Sequence, residues 1–278
     1  MAFKTILSVI GLLQGNRDVE LAAELCRDTD AHLAVMLVSP AASIPVGAYA
    51  DVVSDVWYAE RQHEAKRLAD RVSDVSKLLG ADVLSSDISS CHTEYGLIGE
   101  AVGRRARYAD LTLVGPSLWA DDSLKGQVLD GAMFRSGRPV LVIPQRPAAT
   151  LAPERICIAW DGGLEAARAD GYSLGLLTAA KEVHIVMVDT VSGERGHGQE
   201  PGADLAAYLA RHGVNAIIDR LASSGRPVSD VLTTHATDNG CALIVMGAYG
   251  HSRLRERIFG GVTQSMLDHV TIPLLMAH

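Results

Sequence analysis

The sequence predicts an α/β protein of two tandem domains, each an open five-stranded parallel sheet with helices on both faces. Three observations carry this reading. Short apolar runs alternate with longer amphipathic stretches, the resulting β-α-β-α-β-α-β-α-β order occurs twice, and a proline-rich segment separates the two copies. Strands that alternate with helices are joined by crossovers, and crossovers make neighbouring strands parallel. At 278 residues the chain has room for two domains of ordinary size, each able to bury a core.

In the first copy, strands are expected at Phe3–Ile10, His32–Val38, Asp82–Ile88, Leu111–Val114 and Val140–Ile143. Helices are expected at Asn16–Asp28, Ser54–Leu79 and Tyr95–Arg107, with one more before the last strand. The segment Pro144–Pro153 holds three prolines in ten residues. Proline removes backbone donors and blocks both helix and central strand, so this segment reads as a linker between domains 1–146 and 152–278.

After the linker the pattern restarts. Strands are expected at Arg155–Trp160, Val183–Val188, Val214–Leu221, Ala242–Met246 and Ile272–Met276, with helices at Leu164–Ala180, up to His212, and at Val228–Thr237. A Gly-rich loop spans Gly193–Gly202. Local sequence repeats as well: the run from Leu111 to Gly115 matches that from Leu243 to Gly247, and Arg138–Ile143 matches Thr271–Met276. A repeat this long is a duplicated domain rather than a solenoid unit.

Composition narrows the function. The chain is 48% hydrophobic and 21% charged, with a formal net charge of -8, which argues against a duplex nucleic-acid partner. No apolar run approaches the roughly 20 residues needed to span a bilayer. The N-terminus lacks a basic region ahead of its apolar stretch, so no signal peptide is expected. Four cysteines, Cys26, Cys91, Cys157 and Cys241, are scattered singly and fit a reducing compartment. The expectation is a cytoplasmic protein with no membrane partner.

Ligands of an open parallel sheet bind beyond the carboxyl ends of the strands, where the strand order reverses. In the second copy, Asp161-Gly162-Gly163 follows the first strand, and Gly247-Ala248-Tyr249-Gly250 follows the fourth. Gly260-Gly261-Val262-Thr263 then opens a helix. A glycine turn lets backbone N–H groups approach a ligand, and a helix N-terminus adds unpaired donors, so together they describe a phosphate cradle. Each residue has a plainer reading beside this one. Asp161 can be a solvated turn residue or N-cap, Met187 core, and the glycines a matter of turn geometry. Arg253, Arg255 and Arg257 are either an exposed basic loop or phosphate neutralisers.

Other chemistries find no support. Gly171-Tyr172-Ser173-Leu174-Gly175 fits the hydrolase pattern G-x-S-x-G but falls inside an expected helix, where the serine has no strained elbow. The ten histidines show no paired ligand spacing, so no metal site is expected, and the P-loop pattern is absent.

The spacing Gly247-x2-Gly250-x9-Gly260 within Met246–Thr263 resembles the nucleotide loop of the universal stress protein family, and both halves of the chain share the resemblance. The resemblance implies an adenine-nucleotide alpha-hydrolase-like fold and a bound ATP or AMP, with or without Mg. It places Asp161 on the adenosine part, Met187 against adenine, and Gly247, Gly250, Gly260, Gly261 and Val262 around ribose and phosphates. The family's Ser/Thr after the third glycine is Gly261 here, which keeps the N–H and loses a hydroxyl; Thr263 offers one nearby. In the first copy Leu118 stands at the second glycine position, Ile10-Gly11 replaces the aspartate, and the stretch from Gly115 to Pro139 is two residues shorter than its counterpart. That copy is expected to be degenerate and structural.

The resemblance further implies that Val140–Ile143 and Ile272–Met276 pair, making the chain an internal pseudo-dimer, with a homodimer left open. The implied role is a stress-response sensor or regulator with an unknown protein partner. Two alternatives stand beside it: a slow ATP hydrolase, for which no general base can be named, and a chaperone-like protein with a vestigial site.

Overall fold

The computed structural model describes residues 3–42, 50–80, 84–145, 149–190, 200, 202–249 and 261–278. Gly250, Gly260, the three loop arginines and most of the loop at 193–202 lie outside the described residues. The chain forms two compact units, Phe3–Arg138 and Pro139–His278.

The first unit runs β1 (Thr5–Gly11), α1 (Arg17–Thr29), β2 (His32–Ala41), α2 (Ala50–Gly80), β3 (Ser86–Glu94), a 3-10 turn at Tyr95–Leu97, α3 (Ile98–Ala106) and β4 (Leu111–Val114). Two short helices follow, α4 (Pro116–Trp119) and α5 (Lys125–Leu129), then a π turn at Asp130–Phe134. Its strands are all parallel, in the order β3-β2-β1-β4. The central strands are near-continuous apolar runs because both faces are covered; Ile6, Leu7, Ile10, Leu33, Leu37, Leu111 and Leu113 have no exposure. Strand β3 lies four residues later than expected at its start. Its sequence, SDISSCHTE, is polar, and it is an edge strand whose register is set by pairing with β2 rather than by burial.

The second unit contains β5 (Val140–Val142), β6 (Arg155–Ala159), α6 (Leu164–Leu177), β7 (Glu182–Val188), α7 (Ala203–Arg211), β8 (Ala216–Leu221), α8 (Val228–Asp238), β9 (Leu243–Gly247), α9 (Gly261–Asp268) and β10 (Leu274–Ala277). The strand order is β5-β10-β9-β6-β7-β8. Strands β6 to β10 are mutually parallel. The expected pairing of the two terminal strands is present: β5, which precedes the proline-rich segment, runs antiparallel to β10 with Leu274 opposite Val142 and Met276 opposite Val140. With Leu275 opposite Leu141 between them, all six paired residues are buried. The chain steps outward from β6 through β7 to β8 and then crosses back to β9. With right-handed crossovers this puts α6 and α7 on one face of the sheet and α8 and α9 on the other.

Candidate functional site

The order of strands in the second unit reverses between β6 and β9, and the two motifs singled out from sequence leave the sheet at that point. Ala159 is paired with Met246, so the chain emerges from these strands side by side, as Trp160-Asp161 and as Gly247-Ala248. Asp161 is exposed, and its Oδ1 accepts the N–H of Gly163 at 2.8 Å, with Gly162 between them at φ 73°. The carboxylate therefore shapes the turn into α6 while facing solvent at the crevice. Gly247 has a packing reason for its identity: a Cβ there would stand 2.4 Å from the backbone N of Ala166, because the first turn of α6 lies directly on the end of β9.

Beyond Gly247 the backbone is held tightly. Tyr249 adopts φ 64°, and its N–H donates to the Thr263 hydroxyl at 3.3 Å, tying the strand side of the loop to α9. Ala248 O accepts from His278 Nδ1 at 2.9 Å. Burial, followed by the charge of Asp268, pushes the Tyr249 phenol up to about 12, so it stays neutral. Thr263 is buried, whereas Gly261 and Val262 at the start of α9 are exposed, and a Cβ at Gly261 would meet nothing within 4 Å. Met187 has no exposure; its sulfur lies 3.1 Å from where a Cβ of Gly202 would stand, so in this structure it is a core residue packed under the start of α7.

One acidic group near the crevice was not anticipated. Asp170, on α6, is 2% exposed, and neither carboxylate oxygen has a hydrogen-bond partner. Burial, and then the charge of Asp161, raises its pKa to about 8, so the group is held protonated at neutral pH. It escaped the sequence reading because it sits mid-helix, one residue before the motif dismissed there.

The corresponding reversal in the first unit, between β1 and β4, is filled by the protein itself. The fully buried Asp18 carboxylate accepts the N–H groups of Ser117 and Leu118, both at 2.9 Å. A Cβ on Gly115 would lie 2.4 Å from the same carboxylate, and a Cβ on Gly11 would lie 2.6 Å from Leu124 Cδ1. Gln14 accepts the N–H of Gly11 at 3.0 Å and donates to Asp121 at 3.1 Å, while Arg71 of α2 clamps the carbonyls of Gln14 and Gly15. A cavity of about 550 Å³ bordered by Lys4, Arg27, Asp30 and His32 lies at the opposite, amino end of β1 and β2, away from any strand-end motif.

A separate polar cluster lies on the face of the second sheet covered by α8. His184 of β7 places Nδ1 2.7 Å from Asp219 Oδ2 and Nε2 2.8 Å from Glu182 Oε1. His235 of α8 places Nε2 3.0 Å from the same Asp219 oxygen. The three residues are 35 and 16 positions apart, so no sequence spacing signals them; a histidine within the largely apolar strand β7 was the available hint.

Comparison with known proteins agrees with this architecture. The sequence model of the Universal stress protein family matches residues 154–278. A curated universal stress protein of Synechocystis sp. is 27% identical over 142 residues, covering 50% of this chain; the chain spans about half, 46%, of that relative's length. Among solved structures, a universal stress protein from Archaeoglobus fulgidus superposes with TM-score 0.70 at 16% identity, over 100% of this chain and 96% of that one. A putative universal stress protein from Pseudomonas aeruginosa gives TM-score 0.57 at 14% identity, over 99% and 93%. At these identities the two structures speak to the fold. Among the described residues no helix is long and apolar enough to cross a membrane.

Proposed function

We propose that the second unit, whose residues 154–278 match the sequence model of the Universal stress protein family, binds one adenine nucleotide, ATP or AMP, in the crevice between β6 and β9. The observation that supports this best is the convergence of Asp161 with the Gly247–Tyr249 turn at the reversal of strand order. The residues fit such a ligand. Asp161, exposed at the crevice, would accept from the adenosine part. The exposed start of α9, with open space over Gly261, would offer backbone N–H groups to phosphate. Met187, with no exposure, would support the crevice from the core rather than touch the ligand, and Thr263 would brace the loop through Tyr249 rather than touch phosphate. Gly250 and Gly260 would complete the loop. A polyphosphate would bring Mg with it.

The nucleotide would select one loop conformation and so expose or hide a surface for a protein partner, which is the action of a sensor or regulator in the cytoplasm. The first unit binds none, because Asp18 occupies the backbone donors that a phosphate would need. Its place is structural. A vestigial site is the second reading, favoured by Thr263 being buried against the Tyr249 amide while Gly261 supplies no hydroxyl in its place.

Calorimetric titration of the full chain with ATP and AMP tests the proposal, together with identification of any small molecule that co-purifies. One saturable site per chain is expected, abolished by Gly250→Val with the fold intact, since a β-branched side chain fills the approach path. Two sites per chain, equal affinity in the variant, or no saturable binding would overturn it, and the last result would favour the vestigial reading.

A further inference from the structure

We propose that His184, Asp219 and His235 form a site for a divalent transition-metal ion, of which zinc is the best match. The ligating atoms of the three side chains all lie within 4.8 Å of one another. Two imidazoles and one carboxylate are the donor set that zinc takes when it keeps an open position for water. Zinc sits about 2.0–2.2 Å from such ligands, which puts tetrahedral neighbours about 3.3 Å apart. The existing separations of 2.7 Å and 3.0 Å to Asp219 Oδ2 are shorter than that spacing, by about 0.6 and 0.3 Å. An entering ion would displace the two shared protons, widen both separations and gather the three donor atoms, which already lie within 4.8 Å of one another, into its shell.

The surroundings support the same reading. The second ring nitrogen of His184 faces Glu182 Oε1 at 2.8 Å. A metal-bound histidine commonly donates its other N–H to a carboxylate, which fixes the tautomer and raises ligand basicity. Among the described residues Asp219 has no lysine or arginine within ion-pair distance; its partners are the two histidines.

Access and rigidity also suit a bound ion. His184 is buried on β7, next to the edge strand, whereas Asp219 and His235 are partly exposed, leaving a route in from solvent. The ligands come from two paired strands and a packed helix, so the site is held without loops. It lies on the α8 face and involves none of the crevice residues, so its occupancy is independent of the nucleotide.

The test uses the full chain, stripped with a chelator and then titrated with zinc against a competing chromophoric indicator. One site per chain of micromolar affinity or tighter is expected, with affinity falling as pH drops because binding releases protons. His235→Gln and Asp219→Asn should each weaken binding by about tenfold or more. Cobalt titration of the unaltered chain gives a measurement that depends on no variant: the visible bands of a four- or five-coordinate complex are expected. Absence of a stoichiometric zinc site, unchanged affinity in both variants, or a cobalt spectrum like that of the aqueous ion would each overturn the proposal.

Discussion

The carboxylate of Asp18 accepts the N–H of Leu118 at 2.9 Å, with its other oxygen on the N–H of Ser117. An acidic side chain on α1 thus holds the strand-end turn of β4 from within. The Leu118 amide would otherwise be buried without a partner, and the Ser117 amide is half-buried beside it. Asp18→Ala should therefore destabilise the chain by roughly 2–4 kcal/mol, the scale for losing charge-assisted hydrogen bonds to buried donors. Asp18→Asn, which keeps one acceptor oxygen, should cost less. Denaturant unfolding measures both. A loss under about 0.5 kcal/mol for the alanine variant would contradict the role.

Gly247 and Gly261 make a contrasting pair. A Cβ at Gly247 meets the backbone of Glu165 and Ala166, which cannot give way without moving α6. Gly247→Ala should cost roughly 1–3 kcal/mol, as overpacking does, and lower the melting temperature by several degrees. Gly261→Ala should be neutral or slightly stabilising, since nothing lies within 4 Å and alanine favours the helix. Differential scanning fluorimetry separates the two outcomes.

Gly261→Ser restores a hydroxyl at the exposed start of α9. If phosphate sits there, one added hydrogen bond is worth about 1 kcal/mol, or about fivefold in affinity for ATP. Stability should not change. Titration calorimetry on the two chains checks this; equal affinity would move the phosphate elsewhere.

Asp170 gives the chain a pH-dependent cost. Its folded-state pKa, about 8, lies well above the unfolded value near 3.8. Between those limits the folded chain keeps the proton and the unfolded chain releases it, so stability falls as pH rises and levels off above about 8. Asp170→Asn removes the titration. The variant should match the parent near pH 4 and exceed it by several kcal/mol at most at pH 8. Urea unfolding across that range would refute this if the difference between the two were independent of pH.

Much of this architecture was legible in the sequence because buried parallel strands are short, continuous apolar runs. Leu111–Val114 was found as expected, and β6 ends one residue before the expected Trp160. Strand β3 was misplaced because an edge strand of serine, histidine and threonine carries no apolar signal; the backbone of β2 sets its place. At the candidate site, Asp161 and Gly247 were readable from glycine turns at strand ends. Asp18, Asp170 and the His184–Asp219–His235 cluster were not. Their surroundings depend on strand register and helix packing, which bring together residues as far apart as Asp18 and Leu118.

The antiparallel pair of β5 and β10 sets a schedule on the ribosome. Val142 leaves the tunnel 132 residues ahead of Leu274, its partner in the finished sheet. At about 5–20 residues per second the delay is on the order of ten seconds. During that interval Val140-Leu141-Val142 is an apolar strand without its antiparallel neighbour, the kind of segment that recruits foreign strands. A nascent chain stalled between these strands would present β5 with its β10 partner not yet made.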